Sequence, residues 1–177
     1  MSWWNFGTRK KEPMVKQSKG ICDKQKDIID AIAHRLLGVK YKLGAEVSFD
    51  TPVYQVKFID CSELIQYIFS KIDIMVPDGS WNQHSASFPI EPKASQCGDL
   101  AFKHRDGKIC HVGLIVFESQ VIEAGPRGQV IKRPLEAFMR NTGAKSKFDT
   151  VRSLRLLWKD GKAEAQKVGE IQGYYES

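Results

Sequence analysis

The stretch that decides the fold occupies residues 60–72 and reads DCSELIQYIFSKI. Asp60 belongs to the residue types that cap helix N-termini, and Glu63 follows three positions later, as in a capping box. The apolar residues after it recur at helical spacing, at Leu64, Ile65, Ile68, Phe69 and Ile72. The stretch therefore predicts a central helix that is apolar over a wide face, with Cys61 at its first position.

The pattern of apolar residues changes on the two sides of this helix. Before it, helical spacing over 23–37 predicts another helix, which Gly38 ends. After it, apolar residues alternate, which indicates strands. The predicted strands are 99–104, 109–117, 120–124, 129–132 and 151–158, with short helices at 81–87 and 135–140. Helices followed by an antiparallel meander predict an α+β fold, since parallel βαβ units would alternate the two element types.

Length and charge divide the chain into three parts. The 177 residues fit one domain of ordinary size with tails. The net charge is +6, and residues 1–20 carry five basic residues against one acid. We therefore predict a basic, aromatic arm at 1–20, a folded domain at 21–158 and a polar tail at 159–177. Because the surplus charge lies in the arm, it indicates contact with an anionic surface and not a nucleic-acid-binding core.

Several protein classes are excluded by the sequence. No run approaches the roughly 18 consecutive apolar residues of a transmembrane helix. The start, MSWWNF at 1–6, lacks the basic and apolar regions of a standard secretory signal, so we leave the localisation open. The four cysteines, Cys22, Cys61, Cys97 and Cys110, include no close pair, unlike those of a disulfide scaffold or a zinc ribbon.

Cys61 is the candidate nucleophile. The first turn of a helix is the positive end of its dipole and stabilises a thiolate. A lone cysteine is more often a small buried apolar residue. Here Cys61 lies between the polar residues Asp60 and Ser62 at a helix start, which favours the nucleophile.

His111 is the candidate general base, because it begins an apolar strand that would hold it rigidly. Alternation then predicts that Cys110 points to the opposite face, into the core. Glu123 lies 12 residues later, and a hairpin near 118–120 would bring it beside His111 to orient the imidazole. From the pattern alone, an outward-facing strand residue is an equally good interpretation of Glu123.

Four segments together resemble one family. Residues 60–65, DCSELI, resemble the nucleophile motif of the NlpC-type papain-fold cysteine peptidases, which are bacterial and phage cell-wall endopeptidases. Residues 97–102, CGDLAF, resemble the Gly-Asp-Leu strand entry of that family, and 111–115, HVGLI, its histidine strand. Residues 38–44, GVKYKLG, resemble the tyrosine segment that precedes the cysteine. The similarity spans 22–158.

The resemblance implies a fold and a catalytic site. The fold is papain-like, with the nucleophile at the N-terminus of a central helix that packs on an antiparallel β-meander. Cys61 is then the nucleophile and His111 the general base and acid. Glu123 takes the place of the third, orienting residue, and Tyr41 lies beside the oxyanion together with the backbone N–H of Cys61.

The resemblance also implies a substrate. The expected reaction is hydrolysis of peptidoglycan stem-peptide amide bonds, of the γ-D-glutamyl-diaminopimelate or γ-D-glutamyl-Lys type, through a Cys thioester. It requires no metal or cofactor. Asp60 and Ser62 would hold the free amine of the stem peptide, and Trp81 would line the cleft, although a core or rim aromatic is an equal alternative for Trp81. The sequence departs from the family at Glu63, where relatives often have Gly, and at 42–44, where they have Trp-Gly-Gly.

Three alternatives stay open at this point. The same dyad can transfer an acyl group to an amine or a lipid. The domain can be a non-catalytic, wall-binding part of a virion or secretion apparatus, which the arm at 1–20 would suit. A metal site made of Cys97, Cys110 and His111 is the weakest alternative. We expect a phage or prophage enzyme of the endolysin type, made in the cytoplasm and delivered to the wall by lysis or within a virion.

Overall fold

The computed structural model describes residues 20–125 and 127–167. Nearly all of the predicted arm at 1–20 and the end of the predicted tail at 159–177 lie outside these residues. Contact between the arm and an anionic surface stays a prediction. Within the described ranges, no helix is both long enough and apolar enough to span a membrane.

The described chain contains four α-helices and eleven strands. The helices are α1 (Asp23–Arg35), α2 (Cys61–Ser70), α3 (Ser80–Ser85) and α4 (Leu135–Met139). The first strands are β1 (Lys40–Tyr41), β2 (Phe58–Ile59), β3 (Ile74–Met75), β4 (Ser87–Pro89) and β5 (Leu100–Arg105). The remaining strands are β6 (Lys108–Val116), β7 (Gln120–Ala124), β8 (Val130–Pro134), β9 (Val151–Leu154), β10 (Leu156–Lys159) and β11 (Lys162–Ala165).

A six-stranded sheet in the order β4-β9-β5-β6-β7-β8 forms the centre of the fold, and all its neighbouring pairs are antiparallel. Helices α1 and α2 pack on one face and share a buried apolar cluster with it. Helix α4 contributes to a second, smaller cluster, which contains Ala101, Ile115 and Val121 from the strands. The predicted α+β fold with a β-meander is confirmed.

Helix α2 begins as the sequence predicted. The Asp60 carboxylate accepts a hydrogen bond from the Glu63 N–H, with an N–O distance of 2.9 Å. Glu63 itself bonds elsewhere, since its carboxylate accepts the Val47 N–H at 2.9 Å. The Glu63 side chain therefore anchors the loop between β1 and β2, a role that the predicted capping box did not include.

The structure differs from the sequence prediction at the C-terminal end. The strand predicted at 151–158 divides at Arg155 into β9 and β10, and β11 extends the ordered chain beyond residue 158. β11 pairs with β10 and with β3 in a separate three-stranded sheet. Ala163 and Ala165 are buried, whereas Lys162 and Glu164 are exposed. The alternation of a strand is therefore present, but alanine is too weakly apolar for the sequence to indicate it.

The predicted burial of Cys110 is wrong, because Cys110 is exposed. Lys103 pairs with His111, whereas the next residue, His104, pairs with Ile109. Cys110 is therefore the extra residue of a β-bulge, which interrupts the alternation on which the prediction depended.

Helix α3 brings His84 against the sheet. Its ring lies 5.1 Å from that of Phe102 and 5.7 Å from that of His104, between ring centroids. Burial, together with the charges of Arg152 and His104, lowers the pKa of His84 from 6.5 to about 4. Between these two pH values the unfolded chain binds a proton that the folded chain does not. His84 therefore decreases the stability of the fold as the pH falls from 6.5 to about 4.

We expect His84→Gln to weaken this acid sensitivity. Glutamine cannot take up the proton, so the melting temperature of the variant should fall less than that of the wild type between pH 6.5 and about 4. Thermal melts of both proteins at half-unit pH steps measure the difference. Parallel curves for the two proteins over that window would show that His84 is not the responsible group.

Candidate active site

Cys61 is the first residue of α2 and is 8 % exposed. β2 leads into it, and Asp60 fixes the first turn of the helix through the bond to the Glu63 N–H. Gln83, which is fully buried in α3, donates to the Ser62 carbonyl at 2.9 Å and holds the same turn from the other side. The thiol therefore lies at the N-terminal end of a helix whose first turn is fixed by two hydrogen bonds, one to Asp60 and one from Gln83.

His111 and Glu123 form the closest polar contact of the site. The His111 Nε2 and the Glu123 Oε2 are 2.5 Å apart. The β6–β7 hairpin aligns the two residues, since Leu114 pairs with Ile122. Glu123 is completely buried, so the alternative of an outward-facing strand residue does not hold.

The second ring nitrogen of His111 is available to Cys61. Because Nε2 is bonded to Glu123, Nδ1 is the ring nitrogen left to interact with Cys61. Burial disfavours the charged imidazolium, but the hydrogen bonds and charges of Cys61 and Glu123 outweigh it and raise the pKa of His111 to about 9. The three residues form a thiol–imidazole–carboxylate arrangement in which the imidazolium is the favoured form at neutral pH.

The imidazole is packed by two residues that the sequence analysis did not identify. A Cβ atom on Gly125 would lie 2.8 Å from the His111 Cε1, so only glycine leaves room for the ring there. On another side, the Phe138 ring stacks on the imidazole at 6.1 Å and 23°. Phe138 lies in the short helix predicted at 135–140, and neither residue carries a local sequence signal for this contact.

Glu123 has a second charged partner, which the sequence analysis also missed. The Arg133 Nε lies 2.6 Å from the Glu123 Oε1 in an ion pair. Burial alone would raise the pKa of Glu123. The hydrogen bond from His111 and the positive charges of His111, Arg133 and Lys103 reverse this effect and lower it. Glu123 is therefore held as a carboxylate inside the protein.

Tyr41 lies beside the entry to α2. β1 pairs in parallel with β2, and Tyr41 is in register with Ile59. Burial and the negative charges of Cys61 and Asp60 raise the pKa of Tyr41. Its phenol therefore stays protonated and keeps an O–H to donate near the thiol. Its assignment to the oxyanion stays a prediction.

An open cleft of about 860 Å³ adjoins the first turn of α2. Its lining includes Ser62 and the carboxyl side chains of Glu46, Asp60, Glu63 and Asp78. Burial raises the pKa of Glu63, the Val47 N–H opposes this, and the other three carboxylates raise it further. The cleft is a negatively charged surface suited to a cationic group.

The two residues expected to hold an amine both contribute to this cleft and contact each other. The Ser62 hydroxyl donates to the Asp60 Oδ1 at 3.0 Å, and the Gly44 N–H donates to the Asp60 Oδ2 at 3.0 Å. Trp81 is 60 % exposed and does not belong to the lining of this cleft, and its ring faces that of His84 at 6.5 Å. A role for Trp81 in substrate binding stays a prediction.

The alternative metal site does not form. Cys97 is buried and its thiol donates to the Lys26 carbonyl at 3.4 Å, while Cys110 is exposed and donates to the Lys103 carbonyl. Over residues 20–125 and 127–167, no three His, Cys, Asp or Glu side chains converge as metal ligands would.

Several curated proteins are similar to this chain over part of their length. One is the gamma-DL-glutamyl hydrolase of Bacillus subtilis (strain 168), with 30 % identity over 115 residues, which are 63 % of this chain and 26 % of that protein. Another is the peptidoglycan endopeptidase RipB of Mycobacterium tuberculosis (strain H37Rv), with 34 % identity over 77 residues, 43 % of this chain and 32 % of RipB. The chain thus spans about a third or less of the relatives it matches.

Solved structures share the fold. The structure of RipB from Mycobacterium tuberculosis superposes with a TM-score of 0.57 at 24 % identity and covers 75 % of this chain and 66 % of that one. RipD from the same organism, described as a non-catalytic NlpC/p60 domain protein adapted to peptidoglycan binding, gives 0.56 at 20 % identity over 77 % of this chain and all of RipD.

The length of the sequence that matches a family establishes the family of this chain. Residues 38–152, well over half of the chain, match the NlpC/P60 family. They contain the capped α2, the β6–β7 hairpin and every residue of the thiol–imidazole–carboxylate arrangement. This chain is a member of the NlpC/P60 family.

Proposed function

We propose that this chain is a cysteine peptidase that hydrolyses peptidoglycan stem-peptide amide bonds on the carboxyl side of a γ-D-glutamyl residue. The observation that carries the proposal is the fully buried Glu123 carboxylate bonded to His111, whose other ring nitrogen serves Cys61. A buried ion pair beside a thiol is typical of a functional site. The names of the similar hydrolase and endopeptidase support a γ-glutamyl bond and a cell-wall substrate.

The reaction follows from the arrangement. The Cys61 thiolate attacks the amide carbonyl, and the negative charge passes to the carbonyl oxygen, which the Cys61 N–H and the Tyr41 hydroxyl stabilise. The C–N bond then breaks as the His111 imidazolium gives its proton to the leaving amine. A water molecule, deprotonated by the now neutral His111, attacks the thioester and releases the new carboxylate. Cys61 and His111 return to their starting charges.

The acidic cleft defines one end of the substrate. A stem peptide freed from its glycan carries an N-terminal ammonium, which the Asp60 carboxylate would attract and the Ser62 hydroxyl would help to orient. Glu63 and Asp78 add negative charge to the same wall. The proposed substrate therefore has a free amine at a fixed distance from the scissile carbonyl.

Digestion of purified sacculi with the intact chain, before and after the stem peptides are freed from the glycan, followed by mass spectrometry, tests this function. Hydrolysis gives soluble fragments with a new amine and a new carboxylate. Acyl transfer, which the same thioester permits, gives fragments that carry an added amine acceptor instead. A wall-binding protein without catalysis, as RipD is described, would sediment with the sacculi and release no fragments.

Cys61 should be the most reactive thiol of the chain. Cys61 lies at the positive end of α2 and interacts with His111, whereas burial raises the pKa of Cys97 to about 12. We expect iodoacetamide near neutral pH to label Cys61 before Cys97 and before the exposed Cys22 and Cys110, which site-resolved mass spectrometry measures.

Alanine variants of two cysteines test catalysis by Cys61. Cys61→Ala should lower kcat/KM by roughly 10³-fold or more, because no thioester can form. Cys22→Ala, at an exposed position before α1, is the matched control and should keep wild-type activity. Labelling of Cys61 no faster than that of Cys22 and Cys110 would contradict its assignment as the nucleophile.

Substitution of Glu123 should move the pH dependence of activity. The basic limb of kcat/KM for the wild type should lie near pH 9, where His111 loses the proton for the leaving amine. Glu123→Gln removes a negative charge beside the imidazolium, so the limb should move to lower pH with partial activity retained. Glu123→Ala should be less active, since the ring then also loses its hydrogen-bond partner.

Glu136→Gln is the control for this series, because Glu136 is an exposed carboxylate on α4. Rate profiles from pH 5 to pH 10, with melting temperatures for each variant, separate catalysis from folding. An unchanged limb and wild-type activity in Glu123→Ala would remove Glu123 from the site.

Acetylation of the substrate amine tests the acidic cleft. Removing the positive charge should lower kcat/KM by roughly 30-fold, about 2 kcal/mol, since Asp60 then faces a neutral amide. An N-methylated substrate keeps the charge with similar added bulk and should be cleaved nearly as fast as the free amine. Equal rates of fragment release for the acetylated and the free substrate would show that the cleft does not recognise the positive charge of the substrate amine.

A further inference from the structure

The Glu123 carboxylate is held between two cationic groups. Its Oε2 lies 2.5 Å from the His111 Nε2, and its Oε1 lies 2.6 Å from the Arg133 Nε. Glu123 has no exposed surface, so water cannot solvate either oxygen. A buried carboxylate without a compensating charge is strongly unfavourable. Arg133 therefore supplies a charge that the carboxylate needs.

The need for Arg133 is greatest in the middle of the proposed reaction. Once His111 has given its proton to the leaving amine, the imidazole is neutral and no longer compensates Glu123. The guanidinium keeps its proton at every pH at which proteins fold, so the Arg133–Glu123 pair persists through this step. The carboxylate can then accept the His111 N–H throughout and hold the ring toward Cys61.

The fold positions Arg133 for this contact. Glu123 on β7 pairs with Ile131 on β8, and Arg133, two residues farther along β8, projects from the same face of the sheet. The Arg133 guanidinium lies 4.9 Å from the centroid of the Phe138 ring. The same ring stacks on His111, so one buried aromatic side chain supports both cationic partners of Glu123.

We propose that Arg133 is a positioning residue of the active site, which acts through Glu123 to keep that carboxylate ionised and directed at His111. Lys103 is the other cation near the carboxylate, and its ammonium lies over the Phe138 ring at 4.8 Å. Among the described ion pairs of Glu123, the contacts are made by His111 and Arg133 and not by Lys103. The inference rests on the proposed peptidase function.

Three substitutions at position 133 test the role. Arg133→Gln should lower kcat by roughly 10- to 100-fold and change KM little, because the carboxylate loses its second anchor while substrate binding is untouched. Arg133→Lys keeps the charge and should recover part of kcat. Arg133→Met keeps an unbranched side chain without the charge and should behave like the Gln variant. Arg140→Gln, at an exposed arginine paired with Glu136, is the matched control and should keep wild-type kcat.

A double-mutant cycle shows whether Arg133 acts through Glu123. In a Glu123→Gln background the carboxylate is already absent, so adding Arg133→Gln should lower kcat little further. If the fold-loss of kcat in the double variant equals the product of the fold-losses in the two single variants, the proposal is overturned. Wild-type kcat in both Arg133→Gln and Arg133→Met would also overturn it. Melting temperatures are measured for each variant, and if Arg133→Gln does not fold, the Met and Lys variants carry the same comparison.

Alkylation of Cys61 separates this inference from the proposed function. The rate of iodoacetamide labelling depends on the pairing of Cys61 with His111 and requires no substrate. Arg133→Gln should slow it by roughly the factor that Glu123→Gln does, and Arg140→Gln should leave it unchanged. If sacculi are not cleaved but labelling slows as stated, the peptidase function fails while the role of Arg133 stands. Unchanged labelling in Arg133→Gln overturns that role.

Discussion

A carboxylate with no solvent exposure constrains this site more than any other group. Glu123 must be neutralised by its neighbours, and the protein supplies His111 on one side and Arg133 on the other. Because three adjacent strands, β6, β7 and β8, carry these residues, the register of the meander fixes the geometry of the site. A shift of one residue in either pairing would turn Glu123 to the opposite face and leave the imidazole unsupported.

Asp60 connects the fold to the chemistry in a similar way. Its carboxylate accepts from the Glu63 N–H, the Ser62 hydroxyl and the Gly44 N–H, and so caps α2 and holds the loop that forms one wall of the acidic cleft. Glu63 adds a further bond from the same helix turn to Val47. The turn that places the thiol at the helix start therefore also shapes the substrate surface. Glu63, where relatives often have glycine, has a structural consequence, because its carboxylate accepts the Val47 N–H and so fixes this loop.

The parts of the site that could be predicted are those with local signals. A cap, a helical repeat and a strand beginning with histidine identify Cys61 and His111 within short windows of sequence. Arg133 gave no such signal, since an arginine on a strand is usually solvated and its contact with Glu123 depends on strand register. Phe138 and Gly125 act by packing against a residue that is distant in sequence. The two-residue strands β1 and β2 are too short for periodicity, yet their pairing places Tyr41 beside α2.

Membership of the NlpC/P60 family and the ability to catalyse are separate conclusions. RipD shares this fold at a TM-score of 0.56 and is described as non-catalytic, so the arrangement of helices and strands does not by itself decide activity. What distinguishes a working site is a thiol, an imidazole and a buried charge that keeps the imidazole in place. In this chain all three are present, His111 and Glu123 are in contact, and two cationic partners, His111 and Arg133, neutralise the buried charge. In a protein that only binds the wall, the second cation would serve folding alone, because binding does not require Glu123 to remain ionised while its histidine changes charge. In an enzyme, the Arg133–Glu123 pair would have a second use, because it would keep the carboxylate ionised during the step in which His111 is neutral.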